Sequence, residues 1–309
     1  SIAAISFEQL CSEKVLEIGK EYELFKQLIE PKFRNNYDTP LVLKLSNSNI
    51  FVQDFNIDQF KENDYFKIIF KAFDAFALKS IFKITNQKLY FFLVEVFKYN
   101  GNIKQSIDIF QFLVSSLLAT HLDGKLSTVE ILSMLISTLL IHNQFISPDQ
   151  KKRRHICNKI LNKNQNIHSI DFLHKTVSKE ECNIFANIKN NKLQQIWKLI
   201  IKLLKSINLH KHFKYVNQFT ELVTKENFVI DNENRILLMI ILIKNSMYGG
   251  LARDFEIASK HFLKIVDDVL SNDVDLHLCE KLKYESDDRI NKEKSIIPIL
   301  NFFVMPSFI

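Results

Sequence analysis

Residues 103–144, IKQSIDIFQFLVSSLLATHLDGKLSTVEILSMLISTLLIHNQ, have the form of two helices joined by a tight turn. The first arm, Ile103 to Thr120, places Ile103, Ile107, Phe110, Leu113, Val114, Leu117 and Leu118 at the three- and four-residue spacing of one apolar helix face. His121 to Lys125 is the turn, with Gly124 expected to take the positive φ that stops a helix. Ser127 and Glu130 form a capping box, each side chain reaching the other's backbone N–H, and Leu126 and Ile131 stand where a hydrophobic staple sits.

From Leu126 to Ser147 the only charged residue is Glu130. A helix this free of charge is buried on most sides or lies in a membrane. Ser133, Ser137, Thr138, His142, Asn143 and Gln144 interrupt the roughly 20-residue apolar run that a membrane span needs. The reading is therefore a central buried helix, with small Ser and Thr side chains admitting a close neighbour, and no membrane partner.

Composition agrees. Average usage would give a chain of 309 residues about 20 Gly and about 15 Pro, and this one has 5 of each. Tight hairpins, sandwich folds and phosphate-cradling loops all consume these residues, so the fold class is all-α. The abundance of Phe (27 against one Trp) reflects coding bias and carries no functional meaning. Cys11, Cys157, Cys182 and Cys279 are scattered without a CxxC pair, which reads as a reducing, intracellular setting. The chain opens at Ser1 with no signal segment and no initiator Met, as a fragment of a longer protein would.

Capping signals mark further helices. Ser6-Phe-Glu-Gln opens one that Pro31 ends, Thr39-Pro40 precedes a short helix or strand, and residues 64–84 and 89–99 repeat at helical spacing, the latter readable as a buried strand. Ser147-Pro148 opens a helix to Asn162, and Asn162–Asn166 is a polar linker. Ser178-Lys-Glu-Glu is read as capping another helix, followed by helices over 193–207, 210–224, 234–247 and 251–270. The last is amphipathic, with Phe255 on its apolar side. The apolar stretch 295–309 is expected to dock on the body or on a partner. No fixed repeat period emerges. The expected architecture is an irregular α-solenoid of HEAT-like helix pairs or a large helical bundle. It is divided into an N-terminal region, 1–163, and a C-terminal region, 164–309, continuous with it.

Catalytic motifs are scarce. The five glycines make neither GxGxxG, a Walker motif nor GxSxG. His121 and Asp123 flank Leu122 in a pattern that loosely resembles the His-Asp pair of all-helical metal phosphohydrolases, enzymes that use an adjacent His-Asp dipeptide. No histidine in this sequence is followed by aspartate. His210 and His212 fall on different helix faces, and the histidines read as surface or capping residues. No catalytic residue, cofactor or metal is assigned.

Charge is unevenly spread. Residues 151–214 carry fifteen Lys or Arg against three Asp or Glu, a balance of +12, whereas 254–294 carry seven against eleven, a balance of −4. Lys151, Lys152, Arg153 and Arg154 crowd the start of a helix, the unfavourable end of its dipole. Lys198, Lys202 and Lys205 share one face of the helix over 193–207, opposite Ile196, Ile200, Leu203 and Ile207. Either this is a solvated lysine face or it docks an acidic protein segment or a phosphate backbone. The function expected from sequence alone is a non-enzymatic scaffold or adaptor subunit of a larger intracellular complex, nuclear slightly favoured over cytoplasmic. The alternative is a helical-repeat protein holding nucleic acid through backbone contacts at the 151–214 surface.

Overall fold

The computed structural model describes residues 50–52, 55–142, 165–207, 211–224, 230 and 232–261. The chain divides into two units, Ser1–Ile50 and Phe51–Ile309, and the description below concerns the second. The described residues contain helices and helical turns and no strand, which agrees with the all-α expectation. Helices expected over 8–30 and 148–162, and the apolar stretch 295–309, lie outside them.

Helix α1 (Glu62–Ala75) is followed by the short α2 (Leu78–Phe82), where a single helix was expected. Ala77 and Lys83 both take φ 52°, and each turns the chain. The kink lets Phe76, Leu78 and Phe82 all enter the core, a gain that outweighs the roughly 1–2 kcal/mol cost of a left-handed Ala. Thr85 caps α3 (Asn86–Lys98), whose helical form removes the strand alternative.

Helix α4 (Ile103–Ala119) and helix α5 (Thr128–Leu139) are the expected hairpin. Ser127 N–H donates to Glu130 Oε2 at 2.7 Å and Glu130 N–H to Ser127 Oγ at 3.3 Å, completing the capping box. The turn differs. His121, with φ 53°, is the left-handed residue, and Gly124 lies inside a one-turn 3-10 helix, Leu122–Gly124. Helix α4 ends at Ala119, five residues before the glycine, so the residue just past its cap has to reverse the chain.

Ten of the twelve residues of α5 are buried, which makes it the central rod. Ser133 and Ser137 return their hydroxyls to the carbonyls four residues back, both at 2.7 Å, so they need no outside partner. Their small size leaves room for α7 (Asn190–Ser206), the helix packed most extensively against α5. Helix α6 (Gln165–Val177) occupies sequence that includes the end of the expected linker. Ser178 closes it by donating to His174 O at 2.7 Å, and only a 3-10 turn, Glu180–Cys182, follows where a capped helix was expected.

Helices α8 (His212–Val223) and α9 (Asn232–Tyr248) complete the bundle. Arg235, at the start of α9, donates to Lys125 O at 2.7 Å beyond the end of α4, whereas Arg253, just past α9, pairs with Asp108 near the start of α4. Helix α9 therefore runs antiparallel to α4. A 3-10 turn, Gly249–Ala252, leads into a helix begun at 255. There the amphipathic reading misplaced Phe255, which is 85% exposed.

The solenoid expectation is corrected by these pairings. In a solenoid each repeat touches only its neighbours. Here α5 packs on α7 across the intervening α6, and α4 packs on α9 across most of the described chain. A central helix with partners on several sides is bundle packing. None of the described helices is long and apolar enough to cross a membrane.

Candidate functional site

Three chain segments meet where α4 begins and α5 ends. The last carbonyls of a helix have no partner within it, and here other segments supply the donors. Asn100 Nδ2 donates to Leu139 O at 3.3 Å, Ser169 Oγ of α6 to Leu140 O at 3.2 Å, and Gly101 N–H to His142 O at 2.9 Å. Asn102 caps α4 by accepting from Gln105 N–H at 3.1 Å, and its own amide donates to Gln105 Oε1 at 2.8 Å. Asn100 Nδ2 also donates to Ser106 Oγ at 2.9 Å. The end of the bundle is thus a web of amides and hydroxyls on the last carbonyls of α5 and its extension, and one residue that supplies such a carbonyl also bears an imidazole.

That imidazole is His142. Burial holds its pKa down at about 4, so the ring is neutral at neutral pH. Its Nε2 is buried and has no hydrogen-bond partner among the described residues. A buried polar atom left in this state costs roughly 1–3 kcal/mol, and such atoms gather where a ligand completes the site.

One turn further along α4 lies a second polar cluster. The Asp108 carboxylate is engaged on one oxygen by the fully buried Arg253 and faced on the other by His261 Nε2 at 3.5 Å. Arg253 also donates to Gln111 Oε1 at 3.0 Å, and Gln111 Nε2 donates to Val52 O at 2.8 Å. The rings of Phe55 and Phe112 stand 5.6 and 5.8 Å from the guanidinium. Gly249 and Gly250 make the cluster possible. A Cβ on Gly249 would meet the Phe112 ring at 2.3 Å, and one on Gly250 the His261 ring at 2.4 Å.

Between α7, α8 and α9 is a cavity of about 380 Å³, lined by Lys202, Tyr215, Gln218, Glu221, Leu222, Ile236, Leu237 and Ile240. One turn along α9 from Ile240, the buried Lys244 holds its ammonium 5.9 Å from the Tyr215 ring. Burial brings its pKa down to about 8.

Of the residues singled out from sequence, Lys151, Lys152, Arg153 and Arg154 lie outside the described residues. Lys198, Lys202 and Lys205 are exposed along one side of α7, opposite the buried Ile196, Ile200 and Leu203. The expectation of a surface or capping histidine fails at His212. His212 is fully buried with its ring 5.8 Å from that of Tyr248. Asp108, Gln111, Arg253 and His142 were not found from sequence. The signal for two of them was present, because Asp108, Gln111 and Ser115 form a polar stripe at helical spacing beside the apolar face of α4. It reads as a solvated face until Arg253 is known to cover it.

No three His, Cys, Asp or Glu side chains among the described residues come together as a metal-binding group. At the turn, His121 is exposed and Asp123 half-buried, with no third ligand beside them.

Residues 101–309 match the family model described as 3'5'-cyclic nucleotide phosphodiesterase. The 3',5'-cyclic-nucleotide phosphodiesterase regA of Dictyostelium discoideum is 23% identical over 251 residues, which is 77% of this chain and 31% of that protein. The chain thus spans about a third of the length of that curated relative. Among solved structures, the phosphodiesterase domain of the RhoPDE fusion protein from the choanoflagellate Salpingoeca rosetta superposes with a TM-score of 0.67 at 18% identity, covering 86% of this chain and 89% of that one. A second structure of the phosphodiesterase domain of the Salpingoeca rosetta rhodopsin phosphodiesterase gives 0.68 at 17% identity, covering 86% of each chain. These superpositions identify the helical bundle as the phosphodiesterase-domain fold. The family match overturns the expectations of a non-enzymatic scaffold and of a nucleic-acid-binding repeat protein. Those readings took the lack of Gly-rich loops for a lack of chemistry, but helical bundles build sites from side chains on facing helices.

Proposed function

The chain belongs to the 3'5'-cyclic nucleotide phosphodiesterase family, and from that premise we propose that it acts as a phosphodiesterase domain on a 3',5'-cyclic nucleotide. The observation that carries the reading is the family match over residues 101–309, which takes in α4, α5 and α9 and, of the polar groups where α4 begins and α5 ends, Gly101, Asn102, Ser106, His142 and Ser169. The phosphodiester is placed beside His142, whose buried Nε2 has no described partner. Ring opening needs a water aimed at phosphorus, donors for the phosphoryl oxygens and a proton for the departing ribose oxygen. A neutral imidazole can orient the water by accepting from it, and amide N–H groups can donate to the oxygens.

The test is turnover. The purified chain is incubated with cyclic AMP and with cyclic GMP, and 5'-monophosphate is followed by chromatography. Product formation that is lost in His142→Ala supports the reading. No product and no saturable binding of either nucleotide by the folded chain would sink it.

A further inference from the structure

Every residue that lines the cavity between α7, α8 and α9 belongs to one of those three described helices. At about 380 Å³ the space falls within the range of small-molecule sites. Leu222 of α8 and Ile236, Leu237 and Ile240 of α9 give it an aliphatic wall. Ile236 and Ile240 are four residues apart and Lys244 follows after four more, so the three share one face of α9. From Ile236 to Lys244 that face runs about 12 Å. An aliphatic strip of this length suits an extended alkyl chain better than a compact ring.

Charge selects the head of such a ligand. Lys202 and Glu221 both line the cavity and both are exposed, so opposite charges balance at its rim. Lys244 adds one more cation at the Tyr215 end. It is 2% exposed, and its ammonium stands 5.9 Å from the ring of Tyr215, which itself lines the cavity. A ring face offsets a buried ammonium only in part. Burial is the one cause that lowers its pKa, and no carboxylate among the described residues pairs with it. A single negative charge brought to this end is held where little water competes. A carboxylate supplies that charge with acceptors only, which suits an ammonium with three N–H bonds to give.

We propose that the α7–α8–α9 cavity is a second ligand site, which takes an aliphatic monocarboxylate with its chain along Ile236, Leu237 and Ile240 and its head on the Lys244 ammonium. The site is separate from the His142 end and does not depend on the cyclic-nucleotide reading. Head and chain act together. The chain removes aliphatic surface from water, and the head answers a charge that a neutral alcohol of the same length leaves unanswered.

The full chain is titrated by calorimetry with decanoate below its micellar concentration, with hexanoate and decanol as comparators. One decanoate should bind saturably per chain, and hexanoate more weakly by up to about fourfold for each CH2 removed. Decanol should bind at least about tenfold more weakly than decanoate, since a charge-assisted hydrogen bond is lost. Lys244→Met keeps the length of the side chain and should weaken decanoate by about tenfold or more while leaving decanol unchanged. Lys202→Met, at the exposed rim, should change decanoate binding by less than about threefold. Leu237→Trp fills the cavity from a half-buried position and should weaken both ligands. No saturable binding of decanoate by the folded native chain, equal binding by Lys244→Met, or decanol binding as tight as decanoate overturns the proposal. Displacement of decanoate by cyclic AMP or cyclic GMP overturns it too, because the cavity is then the nucleotide's own. Should Lys244→Met fail to fold, as judged by circular dichroism, the hexanoate and decanol comparisons on the native chain decide alone.

Discussion

Arg253 and Asp108 show how much of this protein depends on single polar side chains placed among apolar ones. Both are buried, and their ion pair is tied to Gln111 and to the backbone at Val52. Removing one partner leaves an uncompensated buried charge. Asp108→Ala should therefore cost about 3–5 kcal/mol in urea denaturation, whereas Asp108→Leu with Arg253→Met should cost far less. Lys244 sets a second expectation. Its ordinary pKa of 10.5, which the unfolded chain keeps, falls to about 8 on folding because burial penalises the ammonium. Between those values the unfolded state binds more protons, so stability rises as pH climbs from about 8 to 10.5, and below 8 the full penalty is present. Lys244→Met should raise stability at pH 7 by up to about 3 kcal/mol and abolish that rise, as thermal denaturation across the pH range would show. An unchanged pH profile would remove burial as the cause. Arg253 and Lys244 carry no sequence signal of burial, and the Asp108 stripe reads as a solvated face, because periodicity sorts residues by type and assigns charged side chains to the solvated side.

At the scale of elements the sequence was most informative where local chemistry is strong. The Ser127–Glu130 box, the Ile103–Thr120 arm and the buried character of α5 follow from capping and spacing. Helix α6 was missed because only Ser169, Phe172, Leu173, Thr176 and Val177 of its described side chains are buried, while Asp171, His174 and Lys175 resemble a linker. The break at Ala77 was missed because both pieces are apolar and the kink is fixed by packing. Packing gives the Gly249-Gly250 pair a role beyond ending α9. Gly249→Ala would push a methyl group into the Phe112 ring and should cost about 1–3 kcal/mol. In a Phe112→Leu background most of that cost should vanish. Equal costs in both backgrounds, measured as a double-mutant cycle, would show that the clash is not with Phe112.

For the whole molecule, the low Gly and Pro content pointed correctly to helices and misleadingly to a passive scaffold. Composition limits which loops a chain can build, but a helical bundle can build a site from side chains on facing helices. What no single-sequence pattern could supply was the tertiary arrangement that brings Asn100, Ser169 and Gly101 onto the end of α5 and leaves His142 Nε2 without a described partner. The measurement that bears most directly on this account is equilibrium dialysis of labelled cyclic AMP and cyclic GMP against the native chain and His142→Ala, with folding of both checked by circular dichroism. Saturable binding of at least one nucleotide, weakened by about tenfold or more in the variant, is the predicted result. Equal binding by the two proteins, or none by the folded native chain, would contradict it.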